Sequence, residues 1–79
     1  MQVSFTPAAL RQWLKLQPDV RRRIDEKLTE LAASGHGDVK RLKGRPGARL
    51  RVGDWRLIFV EDGETLTVMA VGHRGEIYD

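Results

Sequence analysis

A two-residue turn between two strand-like segments is the feature that most constrains the fold of this chain. Residues 48–52, ARLRV, alternate apolar and polar side chains, and residues 55–61, WRLIFVE, are rich in aromatic and β-branched side chains. The Gly53-Asp54 pair between them is a strong signal for a two-residue hairpin turn, which fixes the register of both strands. The expected cross-strand pairs are Val52 with Trp55, Arg51 with Arg56, Leu50 with Leu57, and Arg49 with Ile58.

The same register places three arginines, Arg49, Arg51 and Arg56, on one face of the hairpin. Like charges directly opposite each other destabilise a sheet by about a few tenths of a kcal/mol. Residues 39–56 carry seven basic and one acidic side chain, whereas residues 57–79 carry one basic and five acidic ones. Such a local concentration of positive charge favours a polyanionic partner, most simply nucleic acid.

The first half of the chain predicts a short strand and two helices. QVSF, residues 2–5, has the alternation of a strand, and Thr6 followed by Pro7 is a helix-start signal for a helix over about 7–16. Pro18-Asp19 begins a second, amphipathic helix, which ends at the glycines of SGHG. The apolar residues with helical spacing in this second helix are Val20, Ile24, Leu28 and Leu31.

The second half predicts a sheet that these helices cover on one face. After a loop, HGDVKRLKGRPG, we expect strands over 48–52, 55–61 and 65–72, with the second hairpin turning at Asp62-Gly63. That register pairs Val60 with Thr65, Phe59 with Leu66, Leu57 with Val68, Arg56 with Met69, and Trp55 with Ala70. The fold class is therefore α+β, with two N-terminal helices packed on one face of a small, mainly antiparallel sheet in the order β-α-α-β-β-β. One domain spans residues 1–79.

Alternation sorts the strand residues into two faces. The expected core face collects Leu50, Val52, Trp55, Leu57, Phe59, Leu66, Val68 and Ala70. The other face collects Arg49, Arg51, Arg56, Ile58, Val60, Thr65, Thr67, Met69, Val71 and, by continued alternation, His73. An exposed patch of Ile58, Val60 and Val71 on that face would suit a protein partner.

The residue types present restrict the chemistry. The chain has no cysteine and only two histidines, which argues against a disulfide or a zinc centre, and it has no apolar run long enough to span a membrane. We expect no cofactor and a cytoplasmic protein. No catalytic triad, phosphate-binding glycine loop or paired carboxylates can be assembled, so protease, kinase and glycosidase functions have no support.

RNA cleavage fits what remains, because RNA supplies its own nucleophile, the 2′-OH. The protein then needs cations to stabilise the transition state and a group that moves protons. Arg74 and Tyr78 follow the last strand, and His73 is the side chain whose ordinary pKa suits proton transfer at neutral pH. The same basic face would equally serve to bind nucleic acid or an acidic protein without catalysis.

The segments VKRLKGRPGARLRVGDWRLIFV and VMAVGHRGEIYD resemble the RelE/ParE superfamily of bacterial and archaeal toxins, specifically its RelE branch. The resemblance implies a ribosome-dependent endoribonuclease that cleaves mRNA in the ribosomal A site. It also implies a cognate antitoxin that holds the toxin inactive, and operator DNA binding by the complex through that antitoxin. The implied enzyme works without a metal.

The resemblance also assigns roles to residues. It implies that Arg56 stabilises the scissile phosphate together with Arg74, and that Tyr78 stacks on the substrate and assists proton transfer. Histidine acts as an acid or base in some members, which keeps His73 a candidate. The residues expected to bind RNA are Arg49, Arg51, Lys40, Arg41, Lys43 and Arg45.

Two departures and two alternatives stand beside this interpretation. Arginine replaces lysine at 49 and 51, and guanidinium scarcely deprotonates; only three residues separate Arg74 from Tyr78. A ParE-like toxin that poisons DNA gyrase without nuclease activity has the same fold. A nucleic-acid-binding member without catalysis is the second alternative.

Overall fold

The structure, a computed structural model, describes residues 1–77. This part of the chain contains five strands and two helices. In chain order they are β1 Gln2–Phe5, α1 Pro7–Leu14, α2 Pro18–Ser34, β2 Asp38–Arg41, β3 Ala48–Val52, β4 Trp55–Asp62 and β5 Thr65–His73. The strand order in the sheet is β1-β5-β4-β3-β2, with β1 parallel to β5 and the other neighbours antiparallel. The predicted α+β fold is confirmed, and one strand, β2, is added where the sequence predicted a loop.

Local signals set the start of α1 and the end of α2 as predicted. The Thr6 hydroxyl accepts a hydrogen bond from the Ala9 N–H at 3.1 Å, and Pro7 occupies the first helical position. Helix α1 ends at Leu14, two residues earlier than predicted. Helix α2 ends at Gly35, whose φ of 79° suits glycine and whose N–H donates to the Leu31 carbonyl at 2.9 Å.

The core lies between the helices and one face of the sheet. Its largest fully buried side chains are Ile24, Leu50, Leu57, Leu66 and Val68. Each such side chain contributes about 1.5–3 kcal/mol relative to an exposed position. Of the residues predicted to face inward from the strands, Ala70 is the exception.

The second hairpin differs from the prediction in its turn. The turn residues are Gly63-Glu64, and Asp62 pairs with Thr65. Gly63 has a φ of 61°, whereas a turn at Asp62-Gly63 of the Asp-Gly type would need a positive φ at the aspartate as well. The predicted pairs of this hairpin were therefore wrong, although Phe59 and Val68 still face the core.

A β-bulge in β5 then changes the faces of its last residues. Phe59 pairs with Val68 and Ile58 with Ala70, so Met69 is the extra residue. The Val71 N–H donates to Gln12 Oε1 of α1 at 2.7 Å, which ties the helix to the strand beside the bulge.

The bulge turns Val71 inward and Ala70 outward, opposite to the predicted alternation. Val71 is 3 % exposed, and Ile58 is 8 % exposed although it lies on the outer face. The predicted exposed patch of Ile58, Val60 and Val71 is therefore wrong.

Candidate nucleic-acid interface

Four basic residues share the face of the sheet that the helices leave open. The register of β3 and β4 is the predicted one, with Arg51 opposite Arg56 and Arg49 opposite Ile58. Across the β2–β3 pair, Lys40 lies opposite Arg49. We refer to Lys40, Arg49, Arg51 and Arg56 together as the arginine face, which runs across three neighbouring strands.

An acidic residue at the edge of the sheet offsets part of this charge. Asp38 lies opposite Arg51, and its Oδ2 is 3.7 Å from the Arg51 Nε. Both side chains are more than half exposed, so the pair contributes at most about 1 kcal/mol. This pair was not predicted, because residues 38–41 were expected to form a loop.

Hydrogen bonds to the backbone fix the guanidinium of Arg56. Its Nη1 donates to two backbone carbonyls, Gly53 O at 2.9 Å and Trp55 O at 3.0 Å, and the residue is half-buried. Within residues 1–77 no carboxylate forms an ion pair with it. A guanidinium has five N–H donors, so holding one nitrogen on the turn leaves Nε and Nη2 to bind an anion in a fixed orientation.

Arg74 is held at the same turn. Its backbone N–H donates to the Asp54 carbonyl at 2.8 Å, and its Nη1 lies 3.8 Å from Asp54 Oδ1. The Gly53-Asp54 turn thus contacts both of the arginines for which the family resemblance implies phosphate stabilisation. The structure therefore places Arg56 and Arg74 at the same turn.

A further cation reaches the turn from the helical layer. A methyl group added at Gly53 would lie 2.7 Å from the Nη2 of Arg23, so this α2 side chain extends to the tip of the hairpin. Arg23 was not among the predicted site residues. No local signal separates it from its neighbours Arg21 and Arg22, because the position of α2 relative to the turn is a tertiary property.

His73 does not lie on the arginine face. It pairs with Trp55, and its ring stands edge-on to the Trp55 ring at a centroid distance of 5.4 Å. This is the face of the sheet that the helices cover. The prediction from continued alternation was wrong because the bulge at Met69 moves every following residue of β5 to the opposite face.

The remaining predicted site residues are dispersed. Arg41 lies opposite Ala48 and so points away from its neighbour Lys40, while Lys43 and Arg45 lie in the connection between β2 and β3. Tyr78 lies outside the described residues.

The helical layer contains a carboxyl group with a shifted pKa. Burial raises the pKa of the Asp25 carboxyl on α2, with the nearby Arg21 charge acting in the opposite direction. Helix α2 packs on the other side of the sheet.

Over residues 1–77, no three histidine, aspartate or glutamate side chains gather into a group able to hold a metal ion. No helix in this range is long and apolar enough to cross a membrane.

Comparison with known proteins gives this geometry a context. The family model described as ParE toxin of type II toxin-antitoxin system, parDE, matches residues 3–78. The mRNA interferase toxin RelE of Escherichia coli K12 is 30% identical over 83 residues, which cover 96% of this chain and 87% of that protein.

Solved structures agree. The RelB-RelE antitoxin-toxin complex from Methanococcus jannaschii matches with a TM-score of 0.78 at 27% identity, covering 96% of this chain and 95% of that one. The isolated E. coli RelE toxin matches with a TM-score of 0.79 at 26% identity, covering 91% of this chain and 82% of that one. The fold is therefore that of a toxin from a type II toxin-antitoxin system. Within that class, the chain belongs to the ParE toxin family of the RelE/ParE superfamily, on its RelE-like branch.

Proposed function

We propose that this protein is an endoribonuclease that cleaves mRNA in the ribosomal A site and so inhibits translation. The observation that carries the proposal is the Arg56 guanidinium, held at Nη1 by the carbonyls of Gly53 and Trp55 on a face with three further basic residues. The similarity to RelE, which is named an mRNA interferase toxin, supports mRNA as the substrate.

The arginine face suits a phosphate that gains charge during the reaction. Attack by the 2′-OH forms a bond from the 2′-oxygen to phosphorus and breaks the bond to the 5′-oxygen, leaving a cyclic phosphate and a 5′-hydroxyl. Negative charge builds on the phosphate oxygens in the transition state. Fixed donors such as the free edge of Arg56 stabilise this charge without reorganising during the step, and we assign the same task to Arg74.

Proton transfer requires a different group. The guanidinium of Arg49 or Arg51 does not release a proton near neutral pH. His73 lies against Trp55 on the opposite face of the sheet. We therefore assign proton transfer and substrate stacking to Tyr78, and keep His73 as the alternative.

We also propose that a cognate antitoxin binds the protein and holds it inactive in the cytoplasm. Several matching structures are complexes of a toxin with its antitoxin, including the E. coli RelBE complex at a TM-score of 0.74 and 28% identity. Operator DNA binding by the complex would then occur through the antitoxin.

Mapping of new RNA ends tests the proposal. We expect induction of the wild-type protein to produce new 5′ ends on translated mRNA and not on the same mRNA without a start codon. Arg56→Ala should abolish the cuts, since loss of one such donor costs about 10²- to 10³-fold in rate. Arg22→Ala is the matched control, because Arg22 is an exposed arginine on α2. Tyr78→Phe and His73→Ala separate the two candidates for proton transfer.

Other outcomes would contradict the proposal in distinct ways. Full cleavage by Arg56→Ala would remove the central role of the arginine face. Gyrase-dependent DNA breaks without RNA cuts would indicate a gyrase poison. Salt-dependent RNA binding with no cleavage on programmed ribosomes would indicate a binding protein.

A further inference from the structure

The segment after β5 reverses direction in a closed turn. The His73 carbonyl accepts a hydrogen bond from the Glu76 N–H at 2.8 Å, and the Glu76 Oε1 accepts one from the His73 N–H at 3.1 Å. The backbone and the side chain of Glu76 thus both bond to His73. The chain therefore turns back over the end of the sheet instead of continuing along the strand direction.

The turn brings Ile77 onto Gly72. A methyl group added at Gly72 would lie 3.0 Å from Cγ1 and 3.1 Å from Cδ1 of Ile77. Gly72 follows the inward-facing Val71 and pairs with Arg56. A substituent at Gly72 therefore points to the outer side of the sheet. The contact between Gly72 and Ile77 consequently lies on the arginine face, in the strand next to Arg56.

Gly72 is required here for space and not for backbone conformation. Its φ is outside the positive range that favours glycine, in contrast to Gly53 and Gly63. Any residue can adopt its backbone geometry, and β-branched residues are favoured in strands. What a larger residue would lose is the close approach of Ile77.

We propose that Gly72 and Ile77 are positioning residues that seat the C-terminal segment on the arginine face and so set the position from which Tyr78 acts. The inference rests on the proposed function and deepens it. Tyr78 directly follows Ile77 in the sequence. A side chain at position 72 displaces Ile77 and with it the start of the reacting segment. A displacement of about 1 Å can reduce a rate by as much as about 10²-fold.

The test compares two glycines in the full-length toxin on programmed ribosomes. Gly72→Val should lower kcat by about tenfold or more, while the half-saturating ribosome concentration changes by less than about twofold, because the arginines that bind phosphate are intact. Gly75→Ala is the matched control, since an added methyl there meets nothing within 4 Å and the backbone φ is not positive. It should cleave at the wild-type rate.

Rescue distinguishes positioning from a general loss of structure. Ile77→Ala alone should lower kcat several-fold, because the truncated side chain no longer anchors the segment. In the Gly72→Val background, Ile77→Ala should cost much less than it does alone, because both changes disrupt one contact and their effects are not additive. Thermal denaturation of each variant should show a folded protein with a melting temperature near that of the wild type.

Two results would overturn the inference. One is a wild-type kcat for Gly72→Val or for Ile77→Ala. The other is full additivity of the two changes, which would mean that they act at unrelated places. Neither depends on the outcome for Arg56→Ala, so the proposed function and this inference can fail separately.

Discussion

The two hairpin turns of the sheet have the same local structure and different surroundings. Each consists of a glycine followed by an acidic residue, Gly53-Asp54 in the first turn and Gly63-Glu64 in the second. The glycine φ values are 60° and 61°, and neither acidic residue has a positive φ. Both therefore have the φ pattern of a type II′ turn, which requires glycine at its first central position.

The first turn carries contacts that the second lacks. Its two carbonyls and one carboxylate engage Arg56 and Arg74, and Arg23 reaches it from α2. At the second turn an added methyl on Gly63 would meet nothing within 4 Å, and the Glu64 carbonyl accepts a bond from the Gln2 N–H at 2.8 Å. Both turns close a hairpin. The first also positions arginine side chains, whereas the second also holds the start of β1.

The two turns also differ in charge. Strand β4 connects them, so they lie at opposite ends of the sheet. The first end carries Arg51, Arg56 and Arg74, and the second is flanked by Glu61, Asp62 and Glu64. A polyanion is attracted to one end and repelled from the other, which orients its approach. Two turns with the same backbone φ pattern therefore differ in surrounding charge, because the side chains of the strands beside each turn differ.

The largest expected difference between the turns is in catalysis. Gly53→Ala and Gly63→Ala place a side chain at a positive φ, and each should cost about 1–2 kcal/mol of unfolding free energy. Gly53→Ala also shifts the carbonyl that holds Arg56, so cleavage should fall roughly tenfold for this variant. Gly63→Ala should retain the wild-type cleavage rate per folded molecule.

Chemical denaturation and single-turnover cleavage of the same preparations check this pair. Similar losses of stability with unequal losses of activity would confirm that the first turn positions Arg56. Equal losses of activity would show that the turns affect cleavage only through stability, and the distinction between them would disappear.

A smaller difference is expected in the salt dependence of RNA binding. Arg51→Ala removes one cation of the arginine face, so the slope of log K against log salt concentration should decrease by about 0.7 for single-stranded RNA. Glu64→Gln at the other end of the sheet should leave the slope unchanged. Titration of labelled RNA over a range of salt concentrations provides the measurement. A change of slope for Glu64→Gln of the same size would show that RNA contacts both ends.

Sequence alone predicted the parts of the molecule that local chemistry determines. The Gly53-Asp54 turn fixed four cross-strand pairs, and these put Arg49, Arg51 and Arg56 on one face as observed. The Thr6-Pro7 start and the Gly35 end of the helical region also followed from capping rules. Each of these features depends on residues a few positions apart.

The features that sequence reasoning missed depend on contacts between distant segments. Beside the bulge at Met69, the Val71 N–H donates a hydrogen bond to Gln12, 59 residues away. The bulge moves His73 to the face of the sheet that the helices cover. Strand β2 forms because β3 offers an edge, and its short DVKR segment carries little β signal of its own. The approach of Ile77 to Gly72 likewise follows from a turn that alternation does not predict.

The smallest expected effect concerns the ion pair at the first turn. Asp54 and Arg74 are both about two-thirds exposed, with a separation of 3.8 Å, so their coupling should be about 0.2–1 kcal/mol. A double-mutant cycle of Asp54→Ala and Arg74→Ala, measured by denaturant unfolding, gives this value directly. The cycle of Glu64→Ala with Arg74→Ala is the matched control and should give no coupling, since these residues lie at opposite ends of the sheet.

Salt separates the ion pair from the backbone contact between the same two residues. The Arg74 N–H remains bonded to the Asp54 carbonyl in every variant of the cycle, so only the side-chain term enters the coupling energy. Screening weakens interactions between exposed charges, and the coupling should therefore fall toward zero at about 1 M salt, where the Debye length is about 3 Å. A coupling that persists at about 1 M salt would mean that a short-range contact between the two side chains, and not the attraction of exposed charges, joins Asp54 to Arg74.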